Sequence, residues 1–412
     1  MRKIRVSTTL GYILLLLIII PNEFAVAQTK SQSETSQTAF DLKDGDRVVF
    51  LGSSVFENDF QYGYLELALT TRFHNRNVTF RNLGWTGDNV WGDARSTFTN
   101  PPTPYQHLMR NITDAQPTVV FVAYGGVEAQ EGEAGLPKFK DGLNKLLDKI
   151  NELGAKAVLL SPIPVLSGDS SANLAKRNAD LQLYAAEIAK TASQRGDRFI
   201  DIYNPILEIS KKATITENGV HLNETGYYYL AVALEKGLGL ASKTLSTDIV
   251  VSKNSAEAKA SAKILDAGNS NLKFTIEDES YLPFPIPAST TDQVQTVKIS
   301  SLKKGFYTLM ADNEQVATAS AKNWGEGVAI KQGPSFTQIK ELREMIVKKN
   351  GLHFYQYRPM NETYIIGFRA YEQGKHVKDL EDQSILIKWI ESQIALTRAP
   401  KAHVYQLVPV SN

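Results

Sequence analysis

Five short strand-like stretches, the first an apolar, β-branched run, separated from one another by polar or helix-periodic sequence, constrain this chain more than any other feature. They are Arg47 to Ser54, Val78 to Gly84, Thr118 to Gly125, Ala155 to Ser161 and Arg198 to Tyr203. Runs of this kind suit strands covered on both faces. Between them, "LPKFKDGLNKLLDKINELG" places Phe139, Leu143, Leu146, Leu147 and Ile150 at helical spacing, with Gly154 positioned to end the helix. Such alternation predicts βαβ units and an α/β fold, a three-layer sandwich around a doubly wound parallel sheet. A sheet of that type keeps its chemistry just beyond the carboxyl ends of its strands. The residues that follow each run are therefore the first place to look for function.

The chain has 412 residues and room for more than one structural unit. Its first 27 residues combine three basic positions, an apolar run from Leu10 to Ile20 and the small-residue site Ala25-Val26-Ala27. This is the pattern of a signal peptide cut after Ala27, and it predicts an exported, periplasmic or secreted protein that is not held in a membrane after cleavage. A polar leader over 28–40 precedes the α/β domain at 41–243. From about residue 244 period-two stretches such as "VQTVKISSL" predict a small antiparallel β unit over 244–335. A C-terminal α/β segment at 336–412 follows, able to pack back on the first domain. Within it, "YRPMNETYIIGFRAYEQG" reads either as the edge of a β-hairpin or as a lining of the substrate cleft.

Lys and Arg total 45 against 44 for Asp and Glu, with no block of either sign, so nucleic acid is not an expected partner. There is no cysteine, and the six histidines are scattered without His-x-x-x-His spacing. No disulfide, metal or cofactor is expected.

Four stretches carry candidate chemistry. "FLGSSVFEN" ends the first run in a glycine and two serines; "NLGWTGDNVWGDAR" and "FVAYGGVEAQEG" follow the second and third runs with closely spaced glycines; "TENGVHLNETGYYYLAVAL" sets His221 just before a helix. Each has a plainer role open to it, namely a helix cap, tight turns, and a packing histidine.

Taken in order, the four stretches resemble the SGNH hydrolases, also called the GDSL esterase/lipase family, over about Asp41 to Leu240. The resemblance implies that Ser54 is the nucleophile and His221 its base. It implies an oxyanion hole built from the N–H groups of Ser54 and Gly87, with Gly126 and Val127 in the third block. The chain departs from the pattern at three places. Ser53 stands where the family has an aspartate before the nucleophile. Val127 and Glu128 stand at the Asn-Asp of the third block. Asn218 stands three before the histidine, with Glu217 one place earlier, and Glu217 is the residue expected to orient His221. Asn58, Gln61 or the "YRPMNETY" stretch is expected to supply the donor that Val127 lacks. Trp85, Tyr124, Glu128, Arg358 and Asn361 are the candidate substrate contacts. The activity implied is that of a serine esterase acting on a small-molecule or polysaccharide ester, such as an acylated carbohydrate. The alternative is a non-catalytic carbohydrate-binding protein on the same scaffold, with Trp85, Trp91 and Tyr124 stacking on sugar rings.

Overall fold

The structure, a computed structural model, describes residues 39–410 apart from 96–101, 168–169, 242–244, 254, 261, 269–270, 277–283, 286, 288–294, 360–368, 370 and 372–375. The expected signal peptide and nearly all of the expected polar leader lie outside the described residues.

The five stretches form five parallel strands, β1 (Arg47–Gly52), β2 (Thr79–Asn82), β3 (Val119–Ala123), β4 (Lys156–Leu160) and β5 (Arg198–Ile200), in the order β2-β1-β3-β4-β5. Among the described residues, the helices of this domain are α1 (Ser54–Glu57), α2 (Tyr64–Arg72), α3 (Pro104–Ala115), α4 (Leu136–Glu152), α5 (Ser171–Arg195), α6 (Tyr203–Ser210) and α7 (Glu224–Gly237). Alternate strand residues feed two cores. Val48, Phe50, Phe121 and Leu160 pack against Leu65 and Leu69 of α2 and Leu230 and Leu234 of α7. Val49, Leu51, Val120 and Leu159 pack against Leu108, Leu143 and Ile188 of α3, α4 and α5. Both faces of the sheet are thereby covered, which is why the inner strands β1, β3 and β4 read as apolar runs, while the edge strand β2 carries Arg81 and Asn82.

β1 stops at Gly52 for a steric reason. A Cβ there would lie 2.4 Å from the Ala123 carbonyl oxygen, so only glycine lets β1 and β3 converge above the sheet. The chain then turns directly into α1.

The second unit has two sheets around one core that includes Ile249, Phe274, Val297, Leu309 and Trp324. The first contains β6 (Leu245–Val251), β7 (Ala256–Ala260), β10 (Gln295–Ser300) and β13 (Val328–Ile330); the second contains β8 (Ala262–Gly268), β9 (Asn271–Ile276), β11 (Phe306–Ala311), β12 (Glu314–Ser320) and β14 (Val404–Pro409). Two features differ from the sequence expectation. β6 and β10 run parallel, and β14 comes from the far end of the chain to lie between β11 and β9. The unit is therefore not closed by residues 244–335 alone. A short helix, α8 (Ala321–Glu326), buries Trp324 in its core.

Two long helices, α9 (Pro334–Tyr357) and α10 (His376–Thr397), return to the α/β domain. Ile339, Leu342 and Ile346 of α9 and Ile390 and Ile394 of α10 enclose Leu67 of α2. α9 runs as far as Tyr357, the first residue of the stretch read as a hairpin edge or a cleft lining. Most of the stretch that follows, including Asn361, lies outside the described residues.

Candidate active site

Ser54 is the first residue of α1, immediately past the carboxyl end of β1, and is partly exposed. Ser53 precedes it as a buried residue whose N–H donates to the Ala123 carbonyl at 3.3 Å, while its side chain makes no capping bond. A capping role for the serine pair is thus not what the structure displays.

Gly87 lies in the turn after β2, exposed, with φ +79°, a conformation that suits glycine. This turn is fastened to α1. A Cβ on Gly84 would lie 2.2 Å from the Glu57 nitrogen, so glycine permits the close approach. Asn82 donates to the Phe56 carbonyl at 2.5 Å and accepts from Gly84 N–H at 2.9 Å. Glu57, one turn after Ser54 on α1, accepts from the Thr86 N–H with one carboxylate oxygen and from Arg358 with the other, the latter at 3.0 Å.

Gly126 and Val127 follow β3 and lead into a 3-10 helix at Glu128–Gly135. Glu128 turns inward and accepts from Val90 N–H at 3.0 Å and Gly125 N–H at 2.8 Å, joining the third block to the second. Burial pushes its carboxyl up to about 7. A carboxyl raised above its unfolded value holds its proton better in the native state, so its contribution to stability is present in acid and lost as pH rises from about 4.5 toward about 7. Urea unfolding at pH 5 and pH 8 is expected to show that this component of the decline disappears in Glu128→Gln; an unchanged decline would remove Glu128 as its source.

His221 is partly exposed, on the loop before α7, whose Asn223 caps the helix through Gly226 N–H at 3.0 Å. Tyr227 of α7 donates to the Val55 carbonyl at 2.9 Å and stacks on Tyr62 with ring centroids 5.1 Å apart. That contact ties the histidine-bearing element to the start of α1. The side chain that meets the His221 ring is Asn218, whose Nδ2 lies 3.2 Å from Nδ1. Glu217 was the expected partner, and its placement differs. Its backbone N–H donates to the His221 carbonyl at 2.9 Å, and its carboxylate accepts from the Tyr62 hydroxyl at 3.3 Å.

The aromatic and charged residues expected to meet substrate serve other partners. Trp85 is 6% exposed, with the Arg358 guanidinium 3.8 Å above its ring and Arg95 5.1 Å from the same ring. Tyr124, 2% exposed, donates to Asp88 at 2.8 Å. Asp88 in turn meets Arg95 at 2.8 Å, and both side chains are fully buried. The two aromatics therefore offer no open face for a sugar ring, and Glu128 and Arg358 are engaged within the protein. Sequence reasoning missed Glu57, Asp88, Arg95, Tyr62 and Tyr227. Only Glu57 left a trace, since it stands one helical turn from Ser54.

The profile of the GDSL-like lipase/acylhydrolase family matches residues 50–229. Among solved structures, the chain is similar to BT4096, a gut microbial diltiazem-metabolizing enzyme, at 17% identity and TM-score 0.67, covering 91% of this chain and 100% of that one. It is similar to a lesser degree to Axe2, an acetylxylan esterase from Geobacillus stearothermophilus, at 14% identity and TM-score 0.39 over 49% of this chain and 98% of that one. No curated protein matches it. Likeness to BT4096 at this identity speaks to the fold, and it extends across the β unit and the C-terminal helices as well as the α/β domain. The match to the GDSL-like lipase/acylhydrolase profile thus falls on the segment that holds the parallel sheet and the blocks at its strand ends.

Proposed function

We propose that the chain is an exported ester hydrolase in which Ser54 attacks the ester carbonyl and His221 serves as base, acting on an acylated carbohydrate or another small ester. The observation that carries this reading is the position of Ser54 at the start of α1, with the Gly87 turn strapped beside it and α7 tied to the same helix. His221 takes the Ser54 proton as Oγ bonds to the carbonyl carbon. The carbonyl oxygen becomes an oxyanion facing the N–H groups of Ser54 and Gly87. Collapse breaks the bond to the alcohol, which leaves with the proton from His221. Water then attacks the acyl-enzyme by the same route and releases the acid. The carbohydrate-binding alternative loses its support in Trp85 and Tyr124, whose faces are covered.

The test pairs hydrolysis of 4-nitrophenyl acetate with trapping by a fluorophosphonate. Adduct on Ser54, together with loss of both hydrolysis and adduct in Ser54→Ala, supports the reading. Hydrolysis that survives in Ser54→Ala, or a labelled residue elsewhere, overturns it. Export is tested by amino-terminal sequencing of the protein recovered from its native host, with Gln28 the expected first residue.

Val127 places methyl groups where an amide donor would stand in the resembled pattern. Asn58 and Gln61, expected to replace that donor, both lie in the 3-10 turn Asn58–Gln61 after α1. A Val127→Asn chain is expected to turn over faster, by at most the ~10²–10³ that one oxyanion donor is worth. Unchanged kcat in a folded variant would mean that another donor already fills the place.

A further inference from the structure

We infer that Arg358, at the end of α9, is a positioning residue for the oxyanion turn, so that the C-terminal helix completes a site whose reacting groups all lie in the α/β domain. This rests on the proposed ester-hydrolase reading. Glu57 sits on α1 one turn after the nucleophile and reaches across to the Thr86 N–H, the residue before Gly87. A carboxylate on an exposed turn would ordinarily be free to swing into water. Here it is 13% exposed and is held from behind by the Arg358 guanidinium at 3.0 Å. Arg358 is itself fixed by lying 3.8 Å above the buried Trp85, the residue that opens the turn. The neighbouring Tyr357 hydroxyl donates to the Gly84 carbonyl at 2.8 Å. Two contacts from one helix end thus reach Gly84 and Trp85 directly, and a third reaches Thr86 through Glu57.

The consequence concerns geometry. The Gly87 N–H helps catalysis only if it is aimed at the place where the oxyanion forms, and a displacement of about 1 Å can cost about 10²-fold in rate. Gly87 has no side chain to anchor it and nothing within 4 Å of where its Cβ would be, so its aim is set by the residues before it. Arg358 acts through Glu57 and Thr86, and it does not touch the reacting atoms. The expectation that Arg358 contacts substrate makes the opposite kinetic prediction, because loss of a ground-state contact raises KM.

The experiment compares wild type, Arg358→Ala, Arg358→Lys and Glu57→Gln as full chains, measuring kcat and KM on 4-nitrophenyl acetate, the rate of Ser54 labelling by a fluorophosphonate, and inhibition by phenylboronic acid, whose tetrahedral adduct presents an oxygen to the oxyanion hole. In Arg358→Ala, kcat and the labelling rate are expected to fall about 10²-fold, KM to stay within about twofold, and phenylboronic acid inhibition to weaken in step with kcat. Arg358→Lys retains the charge on Glu57 but not the planar fork or the stacking, and should lie between. Glu57→Gln, which keeps an acceptor for Thr86 but weakens the pair, should lose less than Arg358→Ala. Wild-type labelling with an unchanged rate in Arg358→Ala overturns the inference, as does a rise in KM with kcat and boronate affinity intact. If Arg358→Ala does not fold, a wild-type labelling rate and kcat in Arg358→Lys and Glu57→Gln overturn it equally. Absence of labelling in the wild type would instead sink the hydrolase reading on which it rests.

Discussion

An Asn218→Asp chain is expected to hydrolyse 4-nitrophenyl acetate faster than the parent, by up to about 10⁴-fold, the factor that separates aspartate from asparagine at the histidine of a serine protease. The reason lies in which nitrogen of His221 holds the proton. The Asn218 Oδ1 accepts from Val220 N–H at 3.1 Å and His221 N–H at 2.9 Å, which fixes the amide so that its oxygen points at the backbone. Its Nδ2, a donor, therefore faces the ring Nδ1 at 3.2 Å. A donor facing Nδ1 requires Nδ1 to accept, and the neutral ring then carries its hydrogen on Nε2. In that resting tautomer Nε2 has no lone pair for the serine proton, so His221 acts as the base of the proposed mechanism only after its hydrogen has moved to Nδ1, which slows the parent chain. An aspartate in the same rotamer would keep both backbone bonds with one oxygen and place an acceptor against Nδ1 with the other. The hydrogen moves to Nδ1, and the imidazolium formed during turnover gains a carboxylate beside it. Glu217→Gln should leave the parental rate nearly unchanged, because the Glu217 carboxylate is spent on Tyr62. A folded Asn218→Asp chain no faster than the parent, or a large loss in Glu217→Gln, would show that Glu217 reaches the ring during turnover after all.

What could be read from the sequence divides along a physical line. The parallel sheet was legible because burial on both faces makes β1, β3 and β4 almost wholly apolar beyond their first residues, and the helix between Leu136 and Glu152 was legible because one buried face imposes a period. These are local consequences of a one-dimensional pattern. The strand ends were also legible, since the glycines at positions 52, 84 and 87 mark close approach and positive φ. Partner identity was not. Trp85 and Tyr124, aromatic residues near strand ends, look the same in sequence whether they face a ligand or a buried guanidinium. Only the fold brings Arg95 and Arg358 to Trp85, and Arg358 stands 301 residues from Glu57. Strand β14 is hidden for the same reason, because "VYQLVP" is one short apolar run and its neighbours β11 and β9 lie far back in the chain. The orientation of Glu217 depended on backbone pairing within the loop. Its N–H bonds to the His221 carbonyl, and the side chain turns toward Tyr62, a result that spacing from the histidine alone does not determine.

Lys349→Met is expected to be among the most destabilising single changes available, by about 3–5 kcal/mol in urea unfolding, because it strands a charge. Lys349 Nζ lies 2.6 and 2.7 Å from the two carboxylate oxygens of Glu66 and 3.1 Å from the Phe80 carbonyl, with side-chain exposures of 1% and 4% for the pair. Burial pushes the Glu66 carboxyl up and the Lys349 ammonium down, and the charge of each partner opposes the shift of the other. Without the ammonium, Glu66 must be buried as an unpaired anion or take up a proton. Its folded pKa then rises further above its unfolded value, so the loss should be smaller at pH 5 than at pH 8, where protonation is harder. The pair joins α9 to α2 and to the carbonyl of the edge strand β2, nine residues before Arg358, so activity should fall along with stability. Replacing both partners, Lys349→Met with Glu66→Leu, removes the charges together and should recover most of the stability while leaving hydrophobic packing between α2 and α9. Recovery of stability in the double variant would separate the cost of an orphaned charge from the cost of losing the helix contact. A single variant that loses less than about 1 kcal/mol, or a double variant no better than the single, would mean that water reaches Glu66 and that the hydrophobic contacts around Leu67 carry the docking of α9 without the ion pair.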